Sequence, residues 1–127
     1  MITCSNFQKP LIGSMRAYSY LGYKIKYTLT NYAKYLTTNL GVRKLMLYRV
    51  DRHGTWEGYD NEVIREIIHS VEIPVIACGG CGSIEDLKTV LYKTNANAAA
   101  IGSIAVYSKK GMGVLINFPQ RDLVIKE

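Results

Sequence analysis

The sequence predicts an α/β fold built from about four consecutive strand–helix units around a parallel sheet. Three observations carry that expectation. Strand-like segments recur with starts at residues 11, 44, 74 and 98, the spacing of successive βα units. Helical apolar spacing fills the stretches between them. Glycine-rich turns follow the later strands, where α/β folds present their ligand sites. A chain of 127 residues makes one domain, expected to run from 1 to 127, about half of the ~250 residues of a closed eight-fold barrel.

Each element has its own signal. Leu11–Met15 reads as a short strand. Tyr18, Tyr20, Tyr23, Ile25 and Tyr27 keep close to a period of two around Gly22, which suits a small hairpin. From Asn31 to Leu40, Tyr32, Ala33, Leu36 and Leu40 follow helical spacing. Lys44–Val50 reads as the next strand. Asp60 is a suitable N-cap for a helix whose stripe is Val63, Ile64, Ile67, Ile68 and Val71. Pro74–Cys78 is a buried-type strand with its proline at the tolerated first position. Ser83-Ile84-Glu85-Asp86 fits a capping box, opening a helix with Ile84, Leu87, Val90 and Leu91 on one face. Asn95 and Asn97 suit the helix exit, and Ala98–Ile101 is the last strand. From Ser108 onward, glycines and Pro119 argue against a regular helix.

Charge is unevenly placed. Residues 1–50 contain eight Lys or Arg and no Asp or Glu, while residues 51–127 contain eight basic and ten acidic residues. A basic half points to anionic partners. No nucleic-acid motif accompanies it, so phosphorylated metabolites are the expected class and nucleic acid is not. No apolar run approaches the ~18 residues of a membrane span. The N-terminus lacks the charged start and apolar middle of a secretion signal, and three cysteines cannot all pair with one another. A cytoplasmic chain with reduced thiols is expected.

The chemistry is expected at the C-terminal ends of the strands. Cys78-Gly79-Gly80-Cys81-Gly82-Ser83 lies between a strand and a capped helix, where glycines let backbone N–H groups approach an anion and the helix dipole favours it. Gly102-Ser103, after the neighbouring strand, closes the same cup. Gly79, Gly80, Gly102 and Ser103 are therefore the expected phosphate ligands, with Asp51, His53 and Gly54 as further substrate-site candidates. The same glycines could serve only to make tight turns. Cys78 and Cys81 form a C-x-x-C pair, yet no second ligand pair accompanies it, so neither a metal nor a cofactor is expected. His53 could act as a general acid or base, or be a solvated loop residue. His69, in mid-helix, reads as structural. Six of the ten tyrosines lie between residues 18 and 35 and are expected to cover sheet surface.

The stretch from Gly41 to Ser103, with DRHGTWEGYD at 51–60, IPVIACGGCGSIEDL at 73–87 and AAAIGS at 98–103, resembles the cyclase subunit of imidazole glycerol phosphate synthase. Residues 8–40 match more loosely. The resemblance implies the C-terminal half of a (β/α)8 barrel, units five to eight, a lyase that closes a ring with ammonia from a glutaminase partner in histidine biosynthesis. The segment Gly113–Pro119 resembles a branch of cyclase-like proteins linked to bacterial surface-sugar synthesis. The family uses two catalytic aspartates, on its first and fifth strands. The first strand has no counterpart here, and the fifth-strand position falls at or near Met15, in a region without any carboxylate. The family's second acid in Asp-Arg-Asp-Gly is His53 in this chain. Lys44, Tyr48 and Cys78 stand where the family has a gating Glu, a Thr and a Ser. The resemblance therefore implies a retained phosphate site and lost catalytic acids. The unpaired edges and uncovered apolar side chains of four open strands lead us to expect a homodimer, with a heteromer containing an N-terminal half-barrel as the alternative.

Overall fold

In the computed structural model the described backbone comprises residues 2–8, 16–18, 24–107, 109–114, 116 and 118–125, with side chains described from residue 27 onward. One six-stranded sheet organises them. Its parallel part consists of β1 (Ile2–Gln8), β4 (Lys44–Arg49), β5 (Val75–Cys78) and β6 (Ala98–Ala99). A hairpin of β2 (Arg16–Tyr18) and β3 (Lys24–Thr28) extends the sheet beyond β1, giving the order β3-β2-β1-β4-β5-β6. The helices α1 (Leu29–Asn39), α2 (Asn61–Ser70) and α3 (Ile84–Lys93) return the chain between the parallel strands. Single turns α4 (Ser103–Val106) and α5 (Arg121–Val124) follow. This is an α/β partial (β/α)8 barrel, and among the described residues no helix is long and apolar enough to cross a membrane.

The first strand differs from expectation. Leu11–Met15 lies outside the described residues, and the strand beside β4 is Ile2–Gln8, in register from Ile2–Lys44 to Phe7–Arg49. The reason is physical: ITCSNFQ alternates poorly, with Thr3, Ser5, Asn6 and Gln8 among its seven residues. Its strand state is fixed by neighbours on both sides rather than by its own pattern. The strand end that flanks β4 is therefore near Asn6 and Phe7, not Met15. The expected hairpin is present, and it caps the outer edge of β1 at Asn6, Phe7 and Gln8. That edge is not left open there, as a bare half-barrel would leave it.

The three long helices pack on one face of the sheet. Leu45 and Leu47 from β4 and Val75 and Ala77 from β5 alternate inward to meet Ala33, Leu36, Ile64, Ile67, Leu87 and Val90. The opposite face presents Met46, Tyr48, Ile76 and Cys78, all only partly buried. Each helix starts at a side-chain cap: Thr28 accepts from Asn31 N–H at 3.3 Å, Asp60 from Val63 N–H at 3.3 Å, and Ser83 from Asp86 N–H at 3.1 Å. The capping box closes one residue early, because the Asp86 carboxylate accepts from Gly82 N–H at 3.0 Å. Asn95 takes a left-handed φ of 62°, and Asn97 pairs with Val75 through both its side-chain oxygen and its N–H.

Two loops at the strand ends are locked together. Gly58 N–H donates to the Gly80 carbonyl at 2.8 Å. Gly79 and Gly80 have φ of 96° and 101°, and a β-carbon on Gly79 would lie 2.6 Å from the Arg49 carbonyl oxygen. One on Gly80 would collide with the Gly58 carbonyl. Beneath them, buried Arg49 donates to Asp51 through Nε at 2.6 Å and Nη2 at 3.1 Å, while its Nη1 pairs with Asp60, the α2 cap. Arg52 reaches the carbonyls of Gly58 and Tyr59 at 3.3 and 3.2 Å. Buried Tyr59 donates to the Ala100 carbonyl at 2.7 Å, tying the loop to the end of β6. Burial, with the Cys81 thiol beside it, pushes the Tyr59 phenol far above its usual range. Burial likewise raises the Cys81 thiol, although its hydrogen bond to Tyr59 opposes the shift.

Two outcomes are expected. Gly80→Val should cost about 3 kcal/mol of stability, from steric collision and a β-branched residue at positive φ. A shift in the urea midpoint measures it, and a change below about 0.5 kcal/mol would show that the loops separate freely. The second outcome concerns pH. The fold favours the protonated forms of Cys81 and Tyr59. Their contribution is complete below the unfolded values of ~8.5 and ~10 and is lost as pH rises through the elevated folded values. Urea midpoints should thus fall above about pH 9, and Tyr59→Phe should flatten the decline above about pH 10.

Candidate phosphate site at the ends of β5 and β6

The backbone turns that follow β5 and β6 face each other across a small cavity of about 90 Å³, open to solvent. Gly79 and Gly80 form one wall and Gly102 and Ser103 the other, so the four residues expected from the sequence are brought together. His53 and Gly54, from the turn after β4, close the third side. Cys78, Cys81 and Ala100 complete the lining. The cavity therefore sits where three successive strand ends converge, and its rim is mostly backbone.

The glycines have more than one duty. At Gly79 and Gly80 the absent side chain is required by the close approach of the Arg49 and Gly58 backbones. The tight-turn reading of these two residues holds, and the loop packing it produces is what shapes the cavity wall. Gly102 differs: a β-carbon there would meet nothing within 4 Å. A side chain at 102 would thus meet no neighbouring atom among the described residues.

The helix dipole contributes less than the sequence suggests. The start of α3 is closed on itself by the Ser83 and Asp86 caps, and the cavity is lined by residues 78–81 rather than by that first turn. Ser103 offers a hydroxyl and an N–H that opens a helical turn, where no intrahelical acceptor exists. These donors suit an anion, and no carboxylate lines the cavity to oppose one.

The remaining candidates separate. Asp51 does not line the cavity. Its carboxylate is held by the Arg49 guanidinium, a bidentate pair that makes it a positioning group for the loop. His53 is exposed at the rim, and its ring meets Tyr48 edge-on at a centroid distance of 5.5 Å. His69 lies exposed on α2 with Nδ1 2.8 Å from the Arg65 carbonyl. The raised Cys81 thiol keeps its proton, which does not suit a nucleophile or a metal ligand. Among the described residues no three His, Cys, Asp or Glu side chains gather as a metal site would require. The sequence alone did not reveal the roles of Arg49 and Tyr59. An arginine ending the buried face of a strand is the one signal that pointed to the first.

The family model described as "Histidine biosynthesis protein" matches residues 22–111. The imidazole glycerol phosphate synthase subunit HisF of Chlorobium phaeobacteroides is 46% identical over 79 residues, covering 62% of this chain and 31% of the relative. The subunit of the same name from Chlorobaculum parvum is 49% identical over 65 residues, 51% of this chain and 26% of the relative. That from Nitrosopumilus maritimus is 37% identical over 75 residues, 59% and 28% respectively. The chain thus spans about a third of the length of the curated relatives it matches. The segment matched by the family model runs from β3 through the interlocked loops and both walls of the cavity. The chain belongs to the histidine biosynthesis protein family, with relatives among its HisF cyclase subunits.

Proposed function

We propose that this chain is the phosphate-binding, C-terminal half of a cyclase-type barrel, and that it holds a phosphorylated small molecule or inorganic phosphate at Gly79, Gly80, Gly102 and Ser103. The observation that carries the reading is the cavity itself: two facing backbone turns at adjacent strand ends, with donors on its rim and no carboxylate. A phosphate there is gripped by main-chain N–H groups, the Ser103 hydroxyl and the rim imidazole of His53.

The ring-closing lyase step is a different matter. Acid–base work of that kind needs a pair of proton-carrying groups across the substrate. Residues 1–50 hold no carboxylate, and Asp51 is committed to Arg49. His53 is the one imidazole at the cavity rim. Catalysis then depends on groups supplied by a complementary half-barrel, and ammonia on a glutaminase subunit. The alternative, a non-catalytic phosphate-binding or assembly module, draws on this same shortage of acids. Either way a partner is expected on the sheet face that carries Met46, Tyr48, Ile76 and Cys78, because a whole barrel would bury those side chains. The proposed partner is a second copy, with an N-terminal half-barrel as the other candidate.

Millimolar inorganic phosphate should raise the melting temperature by mass action, by the equivalent of about 2.7 kcal/mol at a hundredfold excess over Kd. Ser103→Asp should abolish that rise without unfolding the protein, since an acid suits the first turn of a helix but repels the anion. An unchanged melting temperature in the parent protein sinks the site. Purified chain should scatter light as a dimer and show no cyclase turnover above background with excess ammonia. Turnover by the pure chain would instead assign the proton transfers to His53 or Asp51.

A further inference from the structure

We infer that the apolar side chains Met112, Val114, Ile116 and Phe118, with the cations on either side of them, form a peripheral docking surface for an anionic lipid bilayer. The observation is a run of large apolar side chains without cover. Met112 is 56% exposed, Val114 68%, Ile116 74% and Phe118 72%. Apolar residues scattered singly over a surface need no explanation. Four of them between residues 112 and 118 make a patch, and patches mark interaction sites.

The segment is fastened on both sides. Before it, Tyr107 bridges antiparallel to Val114, and Met112 N–H donates to the Lys109 carbonyl at 3.0 Å, with Gly111 at φ 77°. After it, the single turn α5 rests on α3. There the Tyr92 hydroxyl donates to the Val124 carbonyl at 3.1 Å, and Val124 packs against the core. The chain is thus tied down at both ends while the apolar side chains between them stand in water. Leu123 and Ile125, in and just after the turn, are exposed as well.

Charge selects the occupant. Lys109 and Lys110 precede the apolar run and Arg121 follows it, all three exposed. From Leu87 to Arg121 the chain carries five Lys or Arg and no Asp or Glu. A second copy meeting this patch through the same patch would set these cations against their own kind, which opposes self-association there. An anionic bilayer answers both features at once, with headgroup charge for the cations and acyl chains for the apolar side chains. Lysine stems can lie along the apolar layer while their ammonium groups stay among the headgroups. A segment held in this way lies on a membrane without crossing it.

The full chain is sedimented with phosphatidylcholine vesicles, and with vesicles in which about a third of the lipid is phosphatidylglycerol. Binding to the anionic vesicles should be about tenfold stronger than to the neutral ones, and should weaken as salt is raised toward ~1 M. Ile116→Ser combined with Phe118→Ser should lower that binding about tenfold or more. The melting temperature should not fall, because both side chains are already in water. Lys109→Gln combined with Lys110→Gln should weaken binding to the anionic vesicles about tenfold. Absence of binding to either vesicle, or equal binding to both, overturns the inference. So does binding to anionic vesicles that survives the exchange of Ile116 and Phe118. If that exchange instead converts a dimer to a monomer in light scattering, the patch is a contact between copies and the membrane reading fails.

Discussion

The rest of the structure depends on one contact: the main chain of the β4–α2 loop lying directly on that of the β5–α3 loop. The Gly58–Gly80 hydrogen bond marks it, and the missing side chains of Gly79, Gly80 and Gly82 permit it. Backbone packed this closely leaves little freedom, because each carbonyl occupies space that a β-carbon would need. The cavity wall and the burial of Tyr59 follow from it, and Trp56, in the same loop, takes a left-handed φ of 66°. Arg49 secures the contact from below by holding Asp51 at the start of the loop and Asp60 at its end. Breaking such a buried pair on one side leaves an uncompensated charge, so the loop is fastened at both ends by one guanidinium.

Most of the helical framework is legible in the sequence. Asp60 and Ser83 announce helix starts through side-chain chemistry that acts locally, and the stripes Val63-Ile64-Ile67 and Leu87-Val90 are buried as their spacing requires. The first strand is the failure. Ile2–Gln8 carries little amphipathic signal, and its conformation comes from pairing with β4 and β2, which a linear reading does not contain. The absence of carboxylates from residues 1–50 does not depend on where that strand lies.

At the site, types and spacing identified which residues would meet but not why. Gly79, Gly80, Gly102 and Ser103 converge because parallel strands bring their C-terminal ends to one side. The sequence could not show that packing requires glycine at 79 and 80 but leaves open space at 102; only the neighbours of a hypothetical β-carbon do that. Asp51 looked like a candidate acid because it sits at a strand end. Its commitment to Arg49 depends on an arginine reaching back two residues from within the core.

The β2–β3 hairpin makes the two margins of the sheet unlike. On one side the outermost strand is antiparallel to its neighbour; on the other it is two residues of β6, parallel to β5. A closed ring of parallel strands has no seat for an antiparallel guest. Any strand arriving beside β1 finds Asn6, Phe7 and Gln8 already engaged, and meets a stop that fixes how far along β1 it can advance. The hairpin thus acts as a ruler on that margin: a newcomer aligns with the first half of β1 or evicts the hairpin.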